Sequence, residues 1–146
     1  VPFIATPFNE RSPKFSPDGR WLAYVSNESG RDEVCIQEFG GSGAKWQIST
    51  DGGTEPVWTA DGQELVYRTG AEIMAVSVQA EAALIVGDPQ VLFEDDYDVE
   101  PDRHQNYDVS SDGQELVMVR SDDLAPTQLR VVLNWFEGLQ ERVPVP

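Results

Sequence analysis

An Asp-Gly pair recurs three times in this chain, at 18, 61 and 112, and that recurrence constrains the fold more than any other feature. Residues 15–24, 58–67 and 109–118 align around it without gaps, each with an apolar residue before the pair and an apolar run after it. Glycine tolerates positive φ and aspartate hydrogen-bonds its own turn, so each pair marks a hairpin. The pairs are spaced by 43 and 51 residues. Such a period describes a stacked array, in which each unit buries its faces only against its neighbours.

Room for two more strands lies between one hairpin and the next. The first unit offers residues 33–39 and 45–49. The second offers 72–78 and 90–93, with a longer and less regular connection over 80–89. Four short strands in each 40 to 50 residues is the pattern of a β-propeller blade. The expected fold class is therefore all-β, with three four-stranded blades per chain. Blade 1 is placed at 9–50, blade 2 at 51–94 and an incomplete blade 3 at 105–134. Blade 3 has strands at 105–110, 115–120 and 127–133 but lacks a fourth. Trp135, Phe136, Leu139 and Val143 then share one helical face, predicting a short C-terminal helix over 135–143.

The segment Phe15-Ser16-Pro17-Asp18-Gly19-Arg20-Trp21-Leu22-Ala23-Tyr24-Val25-Ser26 resembles the WD-like repeat of TolB-like β-propellers. Gln47-Ile48-Ser49-Thr50-Asp51-Gly52-Gly53-Thr54-Glu55-Pro56-Val57-Trp58 resembles the joint between blades in that family. Val131-Val132-Leu133-Asn134-Trp135-Phe136-Glu137-Gly138-Leu139 resembles the end of propellers fused behind bacterial serine/threonine protein kinases. No kinase phosphate loop or His-Arg-Asp loop accompanies it. The resemblance implies a bacterial, periplasmic or otherwise extracytoplasmic protein and a six-bladed ring. Three blades are half of that ring, so the sequence predicts a homodimer that completes it. Residues 1–8 are expected to act as a latch strand, supplying the outer strand that blade 3 of a second copy lacks.

Charge narrows the partners. Twenty-six Asp and Glu against ten Lys and Arg give a net −16. Nucleic acid and anionic membranes are disfavoured, because binding to either rests on neutralising negative charge. No run of 18 apolar residues suggests a membrane span. Val1-Pro2-Phe3-Ile4 carries neither the basic stretch nor the long apolar run expected of a signal peptide. Cys35 is the single cysteine, set in an alternating strand pattern, and reads as a buried inert thiol.

Alternating strand direction sends the Asp-Gly turns to one face of the array. The other face collects an acid-rich set of loops that includes Glu28, Asp32 and Asp51. Its longest loop, residues 94–104, brings together Asp95, Asp96, Asp98, Glu100, Asp102 and His104, which form the candidate ligand-binding set. Its carboxylates have the chemistry to give oxygens to Ca²⁺, although the spacing is not that of an EF-hand. A solvated acidic loop is the simpler reading, and no cofactor or metal is expected. His104 stands without a nucleophile elbow or a second zinc ligand, so no catalytic residue is assigned and the chain is not expected to be an enzyme. Asp18, Asp61 and Asp112 read as turn residues, and Trp21, Trp46, Trp58 and Tyr67 as packing between blades. The expected function is a non-enzymatic scaffold that binds a protein, a peptide or another cationic ligand. The alternatives are a sensor module of a kinase-like system and a hydrolase or lyase acting at the channel mouth.

Overall fold

The computed structural model describes residues 3–40, 43–80, 84–94, 105–122 and 125–133. The candidate loop residues Asp95, Asp96, Asp98, Glu100, Asp102 and His104 lie outside the described residues, as does the helix expected over 135–143. Within them the chain is all-β and folds into three antiparallel blades.

Blade 1 runs β1 (Glu10–Phe15), β2 (Trp21–Ser26), β3 (Glu33–Glu38) and β4 (Lys45–Gln47), paired in that order. Blade 2 contains β5 (Thr54–Trp58), β6 (Glu64–Thr69), β7 (Glu72–Ala80), β8 (Leu84–Val86) and β9 (Gln90–Glu94). Among the described residues, blade 3 contains β10 (Tyr107–Val109), β11 (Glu115–Asp122) and β12 (Ala125–Leu133).

One element differs from the sequence reading. Within the connection over 80–89, Leu84–Val86 form a further strand, β8. It folds back on the end of β7, with Gln79 opposite Ile85, because this carries Leu84 into the core between blades 1 and 2. Residues 3–8, the described part of the latch expected over 1–8 to pair with a second copy, form no strand within one chain. Ile4 instead packs against Leu22, Tyr24 and Cys35 on the outer face of blade 1.

Period-2 alternation explains how the blades stack. Trp21, Ala23 and Val25 of β2 face blade 2, where they meet Trp58, Leu65, Tyr67, Val76 and Val78. Val66, one residue out of phase with Leu65 and Tyr67, faces the other way. It joins Val57, Ile73 and Ala75 against Tyr107, Leu116 and Met118 of blade 3. Blade 2 is thus apolar on both faces, as a middle blade must be. Burying residues such as Leu65 and Ile73 contributes roughly 1.5–3 kcal/mol each.

The aromatic residues singled out from the sequence all lie in the first of these interfaces. Trp21 meets Trp46 edge to face at 5.6 Å. Trp58 donates its indole N–H to the Lys14 carbonyl at 3.1 Å, tying blade 2 to the inner strand of blade 1. The next interface has a counterpart, in which the Tyr107 hydroxyl donates to the Glu55 carbonyl.

Candidate functional site

The three Asp-Gly turns share one hydrogen-bond pattern. In the first, Gly19 N–H donates to the Ser16 carbonyl and Ser16 N–H to the Trp21 carbonyl, both at 2.8 Å. Asp18 Oδ1 accepts from Ser16 Oγ at 2.5 Å and from Arg20 N–H at 3.0 Å. Asp61 repeats this with Thr59 and Gln63, and Asp112 with Ser110 and Gln114. Gly19, Gly62 and Gly113 all sit near φ +70°, a conformation that a side chain would strain. The Ser110 hydroxyl bond, followed by the Gln114 N–H bond, holds the Asp112 carboxyl below the ordinary carboxylate range. The aspartates are therefore structural in their Oδ1 atoms, as the sequence suggested. None of the hydrogen bonds within the turns engages an Oδ2.

Stacking the blades places each turn beside the next and leaves a groove between them. The first groove, about 490 Å³, runs between the turns of blades 1 and 2 and is lined by Ser16, Asp18, Trp21, Asp61 and Gln63. The second, about 140 Å³, lies between the turns of blades 2 and 3 and is lined by Thr59, Asp61, Glu64, Ser111, Asp112 and Gln114. Trp21 and Glu64 hold the same place in their repeats, three residues after the aspartate. Each is buried, and each has one polar atom without a partner: Trp21 Nε1, a donor, and Glu64 Oε2, an acceptor. Leaving a buried polar atom unpaired costs roughly 1–3 kcal/mol. Glu64 is 8% exposed, and burial first, then the charge of Asp61, pushes its carboxyl up to about 7. A buried carboxyl raised in this way at a groove is what functional sites tend to contain.

The opposite face is more thoroughly paired among the described residues. Arg11 grips Asp32 through both terminal guanidinium nitrogens, Lys45 pairs with Glu28, and Arg31 reaches Asp51 at 3.4 Å. Glu33, buried at 2% exposure, accepts from Arg31 Nε at 2.7 Å, from Ser49 Oγ and from Gly52 N–H at 3.2 Å. Gly53 then packs directly on Ser49, where an added Cβ would come within 2.3 Å of the hydroxyl oxygen. These contacts pin the joint between blades 1 and 2. Glu28, Asp32 and Asp51, expected to contribute to an acidic docking face, are thus each matched by a cation of their own blade or its joint.

A second buried charge was not legible in the sequence. Arg68 and Glu55, 2% and 5% exposed, lie 3.6 Å apart between blades 2 and 3. Arg68 Nη2 has no partner. The one available signal was a break in the repeat, because Val25 and Val119 occupy the aligned positions in the other blades. The Cys35 thiol is buried and pushed up to about 11, chiefly by desolvation, which keeps it protonated and inert at neutral pH.

No family model and no curated protein matches the chain. Among solved structures, it is similar to a putative TolB from Agrobacterium tumefaciens, at 13% identity and a TM-score of 0.61, over 89% of this chain and 47% of that one. An oligogalacturonate lyase in complex with manganese matches at 18% identity and a TM-score of 0.60, over 82% of this chain and 35% of that one. A prolyl endopeptidase matches at 15% identity and a TM-score of 0.57, over 86% of this chain and 20% of that one. The chain spans about half or less of each of these proteins. Identities this low carry the fold and not the activity. The fold is that of a TolB-like β-propeller.

Proposed function

We propose that the chain is a non-enzymatic propeller scaffold that works as a complete ring made by two copies and holds a protein or peptide partner on a loop face. The observation that carries this reading is the state of its end blades. Blade 2 is covered on both faces, whereas the outer face of blade 1 is apolar and only partly covered. Leu22, Tyr24 and Cys35 lie beneath Ile4, and Phe3, Phe15 and Phe39 remain 38–53% exposed beside them. Phe39 packs between the other two phenyl rings at 4.9 and 4.8 Å. At the other end, Val119 of β11 points away from blade 2 and is also exposed. The outer face of blade 1 has the composition of a face that another blade covers.

Two copies related by a two-fold axis would set blade 1 of each against blade 3 of the other and close a ring of six. Residues 3–9 would leave the outer face of blade 1 and become free to run beside β12, the outer strand of blade 3. By its resemblance to extracytoplasmic propellers, the scaffold would act outside the cytoplasm.

Light scattering at micromolar protein tests the pairing. The expected mass is that of two chains, and Phe15→Asp should lower it toward the 16.2 kDa of one. Because each copy carries −16, salt should strengthen the pair by screening repulsion. A one-chain mass at every concentration and salt level would overturn this assembly.

A further inference from the structure

We propose that the groove between the second and third Asp-Gly turns is a receptor for one basic side chain of a peptide partner. In this site Glu64 supplies the counter-charge at the floor, and Asp61 and Asp112 flank the rim. The inference rests on the scaffold reading above and deepens it by naming the site and the chemistry it recognises.

The argument starts from Glu64. Its Oε2 is buried and has no partner, although the residue lines an open groove. The fold does not require a carboxylate there, since the first blade carries Trp21 at the same repeat position. An acceptor left unsatisfied by its own chain would be stabilised by a donor that a partner brings into the groove.

The surroundings specify the donor. Asp61 and Asp112 stand on opposite walls and spend their Oδ1 atoms on their own turns. Among the described residues that line the groove, none is basic. A cation entering it would meet two carboxylate walls and a carboxylate floor with no competing charge. No three acidic, histidine or cysteine side chains among the described residues converge tightly enough to hold a metal ion. The separation suits an organic cation, which spreads its donors in space: three N–H on an ammonium, five on a guanidinium. At about 140 Å³ the groove admits a side-chain head group and is well below the roughly 300–1,000 Å³ of sites for larger ligands. The net charge of −16 would draw a basic segment toward the protein before it docks.

Binding would also move a proton. With its carboxyl raised to about 7, Glu64 is partly protonated at neutral pH, and a bound cation favours the ionised form. Asp61 and Asp112 are the other titratable groups facing the groove. Docking at pH 7 should therefore release a fraction of a proton into the buffer.

The test uses the full chain and a short, fluorescein-labelled arginine-rich peptide, with a citrulline version of the same peptide as the uncharged control. Anisotropy at near-physiological salt should show binding of the arginine peptide and much weaker binding of the citrulline one. Glu64→Gln should weaken binding about ten-fold or more, the scale of a lost charge-assisted hydrogen bond. Asp88→Asn removes a full carboxylate charge, at least as much as Glu64→Gln removes at this pH, at an exposed site outside the groove and should change affinity by less than about two-fold, as expected of a screened surface charge. Calorimetry at pH 7 in two buffers of different ionisation enthalpy should detect proton release in the wild type and none in Glu64→Gln. Equal weakening by both substitutions would mean a diffuse field, and absence of binding would mean no receptor; either result overturns the proposal. Both walls of this groove belong to one chain, so a monomeric mass would refute the ring without touching this site.

Discussion

Glu64→Gln also probes stability, with a sign that depends on pH. In the folded chain the Glu64 carboxyl titrates at about 7, against an ordinary value of 4.5 once the chain unfolds. Between those values the folded form holds a proton that the unfolded form has released. Stability attributable to Glu64 therefore falls as pH rises through the window from 4.5 to about 7, and levels off above it. Each pKa unit is worth about 1.36 kcal/mol, so the full penalty is on the order of 3 kcal/mol. Glutamine keeps the shape and cannot ionise. Urea unfolding of both proteins at pH 5 and pH 8 measures the difference, and other titrating groups cancel between them. The variant should gain on the wild type by about 2–3 kcal/mol between the two pH values. A stability gap that stays the same at both would show that Glu64 is not a buried, unpaired acid.

Other perturbations follow from the joint and the core. Glu33→Ala strands the buried Ser49 hydroxyl and the half-buried Gly52 N–H while Arg31 stays in solvent, and should cost about 1–3 kcal/mol by urea unfolding, the scale of an unsatisfied buried polar group. Gly53→Ala forces a Cβ against Ser49 and should destabilise by about 1–3 kcal/mol, and Gly53→Ala combined with Ser49→Gly should recover part of that loss. Leu65→Ala, at a site with no exposure between blades 1 and 2, should lower stability by about 2–5 kcal/mol in thermal or urea unfolding. Trp58→Phe should cost about 1 kcal/mol for the lost bond to Lys14, with the strand signal in circular dichroism unchanged.

The parts of this molecule that were legible in the sequence are those set by local chemistry. A glycine at positive φ, an aspartate two residues after a serine or threonine, and a side-chain period of two are properties of a few adjacent residues. They were enough to place the turns, nearly all the strands and the aromatic residues between blades. The turn pattern was even fuller in the sequence than the Asp-Gly pair alone suggests. Ser16, Thr59 and Ser110, each two residues before the aspartate, supply the hydroxyl that completes every turn. The strand β8 escaped notice because Leu84 gains its burial from blade 1, far away in sequence.

The candidate site depended on stacking, which no local pattern encodes. Gln63-Glu64-Leu65-Val66 and Gln114-Glu115-Leu116-Val117 are the same four residues in the same repeat position. By sequence they are equivalent. In the structure Glu64 is buried at the floor of a groove and Glu115 is exposed. The difference is that blade 2 has a following blade whose turn lies beside it, and among the described residues blade 3 has none. Local hydrogen bonding and periodicity wrote the blades into the sequence, while burial, and with it the unpaired carboxyl of Glu64, came from which blade stands next to which.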